Sequence, residues 1–354
     1  MFKNVAFHQI LSVCLAGALG VALLVSFSLQ TGDVPPSCTT LLVSSGETVL
    51  FGNNEDVSMQ ESLVGFYPAT SSRYGMVKVG YQRTEGERSL TSYQGGMNDQ
   101  GLAWDSLGIP KASLNPHYER DLAFWEDEFL GNILPYYSSV SQVVELVDRY
   151  DFGDSMSMQI YVADASGDAV VIGPGADGEV GFTRKKVGNG YLLAVNHNPL
   201  IPDQKIGFWD NSADRLVLAE TMLDQMSGNG RVKYGEIANV LDAVHLQGIV
   251  HGFFGRLTSY SNIFDLRERA VYLYYQGQYG EVVKFDLAQE LAKGEHIIRL
   301  DELLSPETLS QAEASFLRYQ PLSRQLTTIV GILVMMILCL LVYGTYWWLR
   351  RRQG

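Results

Sequence analysis

The sequence predicts an α+β domain in which antiparallel sheets carry helices on their outer faces. Three observations lead there. Runs of short β-rich segments alternate with pairs of helical segments. No strand–helix–strand rhythm appears, and the β segments are joined by turn-forming residues. A composition of 46% hydrophobic and 18% charged residues is globular rather than disordered. Roughly 290 residues lie between two apolar ends, enough for one large domain or two small ones.

Residues 39–43 and 48–53 alternate, and Ser44-Ser45-Gly46-Glu47 between them is turn chemistry, so they form a hairpin. Residues 63–68, 76–81 and 89–93 are further short strands. Gly95-Gly96-Met97-Asn98-Asp99-Gln100-Gly101 is a tight glycine-rich turn, and a strand continues over 102–107. A helix is expected over 121–134, stopped by Pro135. A stronger one covers 140–150, with Val143, Val144, Leu146 and Val147 on one face and Ser139 or Ser141 as cap. Strands at 159–163, 169–172 and 180–183 form a meander, punctuated by Ser166-Gly167-Asp168 and Ala176-Asp177-Gly178. An apolar strand over 191–196 stops at a polar cluster. Amphipathic helices follow over 212–226 and 234–243, closing strands over 260–265, 270–275 and 282–286, and a final helix over 306–319.

The two ends read as targeting segments. The apolar run 10–29 follows a start with one cation, Lys3, and reads as a secretory signal or a retained anchor. Leu11-Ser12-Val13 puts no small residue directly before Cys14, so lipidation is not expected there. The run 326–349 carries no charge and, at about 24 residues, is long enough to span a bilayer. Tyr343, Tyr346, Trp347 and Trp348 crowd its end, and Arg350, Arg351 and Arg352 follow. These features predict a single-pass cell-membrane protein with a cytoplasmic C-terminus and its main domain outside. Removing Lys3 and the three terminal Arg from 26 Lys and Arg, and Asp33 from 39 Asp and Glu, leaves that domain at net −16. Such an acidic domain excludes nucleic acid as a partner, because phosphates are repelled. Its one cysteine, Cys38, excludes an internal disulfide.

Cys38 opens the first strand, directly after the linker Asp33-Val34-Pro35-Pro36-Ser37. A lone thiol in that place suits an N-terminal nucleophile. Cleavage between Ser37 and Cys38 would free an α-amine with a pKa of roughly 7.7–8.0, poised to take the thiol proton. The prolines keep the linker extended and accessible. The six histidines show neither metal-ligand nor triad spacing, so no metal or cofactor is expected.

Several short pieces then resemble one known group in the order it carries them. They are Cys38-Thr39-Thr40, Phe51-Gly52-Asn53-Asn54-Glu55-Asp56, Gly96-Met97-Asn98-Asp99-Gln100-Gly101-Leu102, Ala163-Asp164-Ala165-Ser166-Gly167-Asp168-Ala169, Asn196-His197-Asn198-Pro199 and Tyr260-Ser261-Asn262-Ile263-Phe264-Asp265. The group is the N-terminal-nucleophile (Ntn) linear amide C–N hydrolases: penicillin V acylases, choloylglycine (bile-salt) hydrolases and acyltransferases of aminopenicillanic acid.

The resemblance implies a four-layer αββα sandwich over 38–305. Ahead of it stand a signal over 1–29 and a propeptide or linker over 30–37. Behind it follow a juxtamembrane segment over 306–325, the membrane helix 326–349 and a tail over 350–354. It implies a cysteine amidase that acts on a small N-acyl amide through a Cys38 thioester. Asp56, 18 residues after Cys38, would hold the α-amine. Asn196 would supply an oxyanion donor, with Asn198 as a rival assignment, and the Gly108 backbone N–H a second. Arg215, after Trp209-Asp210-Asn211-Ser212, would match the group's active-site arginine. Asn53 stands where many members carry Arg, and an asparagine supplies no fixed charge to lower a thiol pKa. Trp104, Tyr81 and Phe208 are candidate walls of an acyl pocket. Two alternatives stay open: an N-acyltransferase using the same nucleophile, and a non-catalytic surface binding module. The sequence carries no signal for an oligomeric state.

Overall fold

A computed structural model describes residues 38–58, 61–85, 88–122, 129–185, 187–188, 190–203, 211–226, 231–246 and 256–352. The leader, the bond before Cys38, Phe208 and Trp209 lie outside the described residues. The chain forms two compact units. The larger comprises Pro35–Gln247 and Arg256–Ala314, and the smaller Met1–Val34, Gly248–Gly255 and Ser315–Gly354.

The larger unit is built on sixteen described strands. They are β1 (Thr39–Ser45), β2 (Thr48–Ser58), β3 (Glu61–Tyr67), β4 (Met76–Glu85), β5 (Arg88–Asn98), β6 (Ala103–Ser113), β7 (Asp121–Leu122), β8 (Tyr150–Asp151), β9 (Ser155–Ala163), β10 (Ala169–Pro174), β11 (Val180–Lys185), β12 (Gly190–Val195), β13 (Arg256–Asp265), β14 (Ala270–Tyr275), β15 (Gln278–Asp286) and β16 (His296–Arg299). Its helices are α1 (Leu130–Tyr136), α2 (Val140–Val147), α3 (Ser212–Met226), α4 (Tyr234–Val244), the short α5 (Leu287–Leu291) and the start of α6 (Pro306–Arg352). Six strands form one sheet in the order β12-β1-β2-β13-β14-β15. Eight form a second, in the order β11-β10-β9-β6-β5-β4-β3-β16. Neighbours in both run antiparallel, as expected.

β1, β3, β10 and β14 are buried on both faces over nearly their whole length, which explains their near-continuous apolar runs. Successive side chains point to opposite faces, so adjacent residues enter different cores. Leu42 and Phe51 of the first sheet meet Met97, Leu107 and Tyr161 of the second in a core between the sheets. Leu41 and Leu50 point the other way, onto Leu223 of α3 and Ile237 and Leu241 of α4. Trp104, Ile160 and Val162 of the second sheet pack against Leu130, Ile133, Val143 and Leu146 of α1 and α2. Tyr161 joins the two sheets: its hydroxyl accepts from Leu42 N (3.1 Å) and donates to Leu192 O (2.8 Å).

Local chemistry sets the turns that aim this frame. Ser45 pairs with Thr48 across Gly46 and Glu47, with Gly46 at φ +58°. Asn98 ties the next turn. Its Oδ1 accepts from Gln100 N (3.1 Å) and Leu102 N (2.9 Å), and its Nδ2 donates to Leu134 O and Tyr137 O (both 2.8 Å). In β6 the ladder to β9 shifts between Gly108 and Ala112, around Pro110, which lacks an N–H for the ladder.

Two expectations need correcting. The helix over 121–134 is instead the two-residue strand β7 and, after residues outside the description, the short helix α1. Pro135 lies inside α1 rather than ending it. In a seven-residue helix it removes a single hydrogen bond, and its carbonyl accepts from Tyr74 N (2.9 Å). The expected membrane span is the second correction. Among the described residues no helix is long and apolar enough to cross a membrane. The run 326–349 does not stand alone but continues α6, whose first turns carry Glu307 and Glu313. The single-pass placement, with a cytoplasmic C-terminus and an extracytoplasmic domain, therefore does not stand.

Candidate active site

Cys38 sits one residue before β1, in the interior of the six-stranded sheet, where β1 lies between β12 and β2. Thr39 pairs with Asn54, so the same register sets Cys38 opposite Glu55. The Thr39 hydroxyl accepts from Arg215 of α3 on the helical face, while Cys38 belongs to the core between the sheets. Its thiol points at Glu55 Oε1, 3.9 Å away. Burial pushes the Cys38 thiol up. Glu55, Asp56 and Asp105 add to the rise, and the Asp56 backbone N–H works against it. These surroundings favour the neutral thiol over the thiolate.

Arg215 organises the other side of β1. Its Nη1 donates to Cys38 O (2.8 Å) and Thr39 Oγ1 (2.6 Å). Its Nη2 donates to Asn196 Oδ1 (3.1 Å) and Ser212 Oγ (3.2 Å), and Nε donates to Asn211 Oδ1 (3.0 Å). Arg215 is buried, so this fork of fixed donors is desolvated and rigid. Asn196, fully buried just beyond β12, is thereby locked beside Cys38.

Hydrogen bonds join four of the six sequence-predicted residues, Cys38, Asn196, Arg215 and Gly108, and the structure treats Gly108 and Asp56 differently from expectation. Asn196 Nδ2 donates to Gly108 O (2.7 Å), so Gly108 meets it through its carbonyl rather than its N–H. Asp56 lies next to Glu55 along β2, but its carboxylate accepts from the Thr258 hydroxyl, which in turn accepts from Leu246 N (2.7 Å). Burial raises the Asp56 carboxyl to about 7, against the pull of Arg215, Thr258 and the Leu246 backbone. Asn53 stands apart from the Arg215 network: its Oδ1 accepts from the Thr40 hydroxyl (2.9 Å). Asn198 makes a turn, with Nδ2 donating to Pro174 O (2.7 Å) and Oδ1 accepting from Leu200 N (3.0 Å). Tyr81 packs on the core between the sheets, as a pocket wall would. Trp104 faces the opposite core with α1 and α2 and is no wall of this site.

Sequence reasoning missed Glu55, Asp105 and Tyr260. Tyr260 pairs with Glu55 across β13 and β2, and its phenol feels Glu55, Asp105, Tyr81 and the Cys38 thiol. Burial, then Asp56, pushes the Glu55 carboxyl well up, while the Asn53 amide and the thiol oppose that rise. Burial, then Glu55, does the same to Asp105. One signal was available for Glu55: it lies as far beyond the Gly46 turn as Cys38 lies before it. Among the described residues no group of three His, Cys, Asp or Glu side chains is arranged to hold a metal ion.

The sequence matches no protein-family profile, and no curated protein is similar to it. Solved structures are similar in fold. A single-site variant of conjugated bile acid hydrolase from Clostridium perfringens superposes with a TM-score of 0.54 at 16% identity, over 76% of this chain and 98% of that one. A second mutant of that hydrolase gives 0.52 at 16% identity, over 74% and 96%. Penicillin V acylase from Agrobacterium tumefaciens gives 0.54 at 14% identity, over 75% and 91%.

Proposed function

We infer that the chain works as an Ntn hydrolase, since it shares the fold of conjugated bile acid hydrolase and penicillin V acylase. We propose that this chain is a cysteine amidase that cleaves a linear N-acyl amide C–N bond with Cys38 as N-terminal nucleophile. One observation carries the reading: Cys38 immediately precedes β1, an interior strand of the six-stranded sheet, with its carbonyl and Asn196 both held by the buried Arg215.

Cleavage before Cys38 frees an α-amine, which takes the thiol proton as Sγ attacks the amide carbonyl. The tetrahedral oxyanion accepts from the Asn196 side-chain amide, whose second hydrogen is left over after the bond to Gly108 O. The C–N bond then breaks, the α-ammonium returns the proton to the leaving amine, and a Cys38 thioester remains. Water hydrolyses the thioester to a carboxylic acid and restores the thiol. An amine in place of water makes the same chain an acyltransferase. The domain division 38–305 belongs to this reading.

A binding module without catalysis is favoured by one observation: the charges around Cys38 raise its thiol pKa rather than lower it. Incubation with a panel of N-acyl amides, followed by intact mass after acid quench, separates the two. An acyl adduct on Cys38, lost in Cys38→Ala, supports the amidase. No adduct and no product from any amide supports the binding module.

A further inference from the structure

The face of the six-stranded sheet that carries the thiol is acidic, and some of its polar atoms lack partners among the described residues. Among the described residues, Glu55 Oε2, Asp105 Oδ1 and the Tyr260 hydroxyl are buried with no hydrogen-bond partner. All three residues are at most 2% exposed. They converge from three strands and both sheets: Glu55 on β2, Tyr260 opposite it on β13, and Asp105 on β6 of the facing sheet. Asp105 lies over Gly95, where a side chain would run into its carboxylate. Among the described residues no ion pair reaches Glu55 or Asp105. The nearby cation, Arg215, is spent on the helical face of β1. Burial without partners is costly for a hydroxyl and far more so for carboxylates, unless something in the working protein meets them.

Building on the amidase reading, we infer that Glu55, Asp105 and Tyr260 form a subsite for a cationic group, an ammonium or guanidinium, carried by the substrate close to its scissile amide. Glu55 Oε1 is 3.9 Å from Sγ, so the cation would sit within a few bonds of the carbonyl that Cys38 attacks. An ammonium brings three donors and a charge. It would satisfy the two carboxylates and the phenol oxygen together and hold both acids ionised. A substrate with a carboxylate in the same place would meet repulsion from both acids.

The test reads charge preference without requiring turnover. In a full-length Cys14→Ser, Cys339→Ser background Cys38 is the only thiol. Its rate of mixed-disulfide formation is measured with 2-aminoethyl methanethiosulfonate, a cation, and with 2-sulfonatoethyl methanethiosulfonate, an anion; in both the thiolate attacks sulfur and methanesulfinate leaves. The cation-to-anion rate ratio is divided by that of free cysteine, which removes intrinsic reactivity. The proposal expects a normalised ratio on the order of 10 or more. It expects that ratio to fall toward one in Glu55→Gln and, independently, in Asp105→Asn. A change in thiol pKa scales both rates equally and cancels. A wild-type ratio near one overturns the proposal; that result follows if the chain's own Cys38 α-ammonium already neutralises the acids. An excess for the anion, no reaction with the cation, or a high ratio unmoved by either variant overturns it as well. Absence of amide hydrolysis bears on the nucleophile alone.

Discussion

Arg215 is the residue on which most of the site depends. It links Cys38 O, Thr39 Oγ1, Asn196 Oδ1 and Ser212 Oγ. Arg215→Met leaves those acceptors buried and also removes the cation that lowers the Asp56 carboxyl. Loss of a buried charge partner costs about 3–5 kcal/mol, which urea denaturation should register together with loss of amide turnover. Arg215→Lys keeps the charge but not the fork, and should recover stability only in part. The buried acids make stability depend on pH. The Asp56 carboxyl is raised to about 7 from an ordinary 3.8, so the folded chain holds a proton that the unfolded chain gives up. That contribution is complete below the unfolded value and is lost as pH rises through about 7. The urea midpoint should therefore fall between pH 4 and pH 8, and the fall should be smaller in Asp56→Asn. A midpoint that rises over this range contradicts the burial argument. Cys38, Asn196 and Arg215 were legible in the sequence because each sits at a boundary: a strand start, a strand end, a helix start. Asp105 was not, because its meaning lies in what faces it between the sheets, and Glu55 was legible only through the register of the β1–β2 hairpin.

At the scale of elements, the hairpin β1–β2 sets the geometry, because its two-residue turn fixes which residue faces Cys38. Its alternation and its turn were readable directly, and the register followed from the turn. The turn at Asn98 was readable as glycine-rich, but its function as a clamp on α1 depends on Leu134 and Tyr137, far along the chain. Gly101 stands at φ +80°, and a Cβ there would strike Leu266 O. Gly101→Ala should therefore destabilise by more than about 1 kcal/mol, measured by thermal or urea unfolding, whereas Gly153→Ala, with open space around it, should cost less. The helix expected over 121–134 failed because an apolar period and a following proline were given the weight of a helix stop, while tertiary contacts took Pro135 into α1. β16 escaped notice because four residues carry too little pattern. Pairing with β3 is what makes it a strand.

For the molecule as a whole, two sheets face each other and β1, the strand that follows Cys38, is held from both sides. Tyr161 bonds across that interior to β1 and β12. Tyr161→Phe leaves Leu42 N and Leu192 O without this partner, and should cost about 1–3 kcal/mol while loosening the strand that carries Cys38. The alternation of strand and helix segments foretold an α+β fold with antiparallel sheets, and the structure agrees. The apolar C-terminal run was weighed by itself, and the long helix that contains it corrected the membrane assignment. The central claim is that Cys38 acts as a freed N-terminal residue, and the intact mass of the purified chain, wild type beside Cys38→Ala, tests it most directly. The account predicts a wild-type mass beginning at Cys38 and a variant that keeps residues ahead of position 38. A wild-type chain that hydrolyses N-acyl amides at full rate with residues still attached before Cys38 would contradict it.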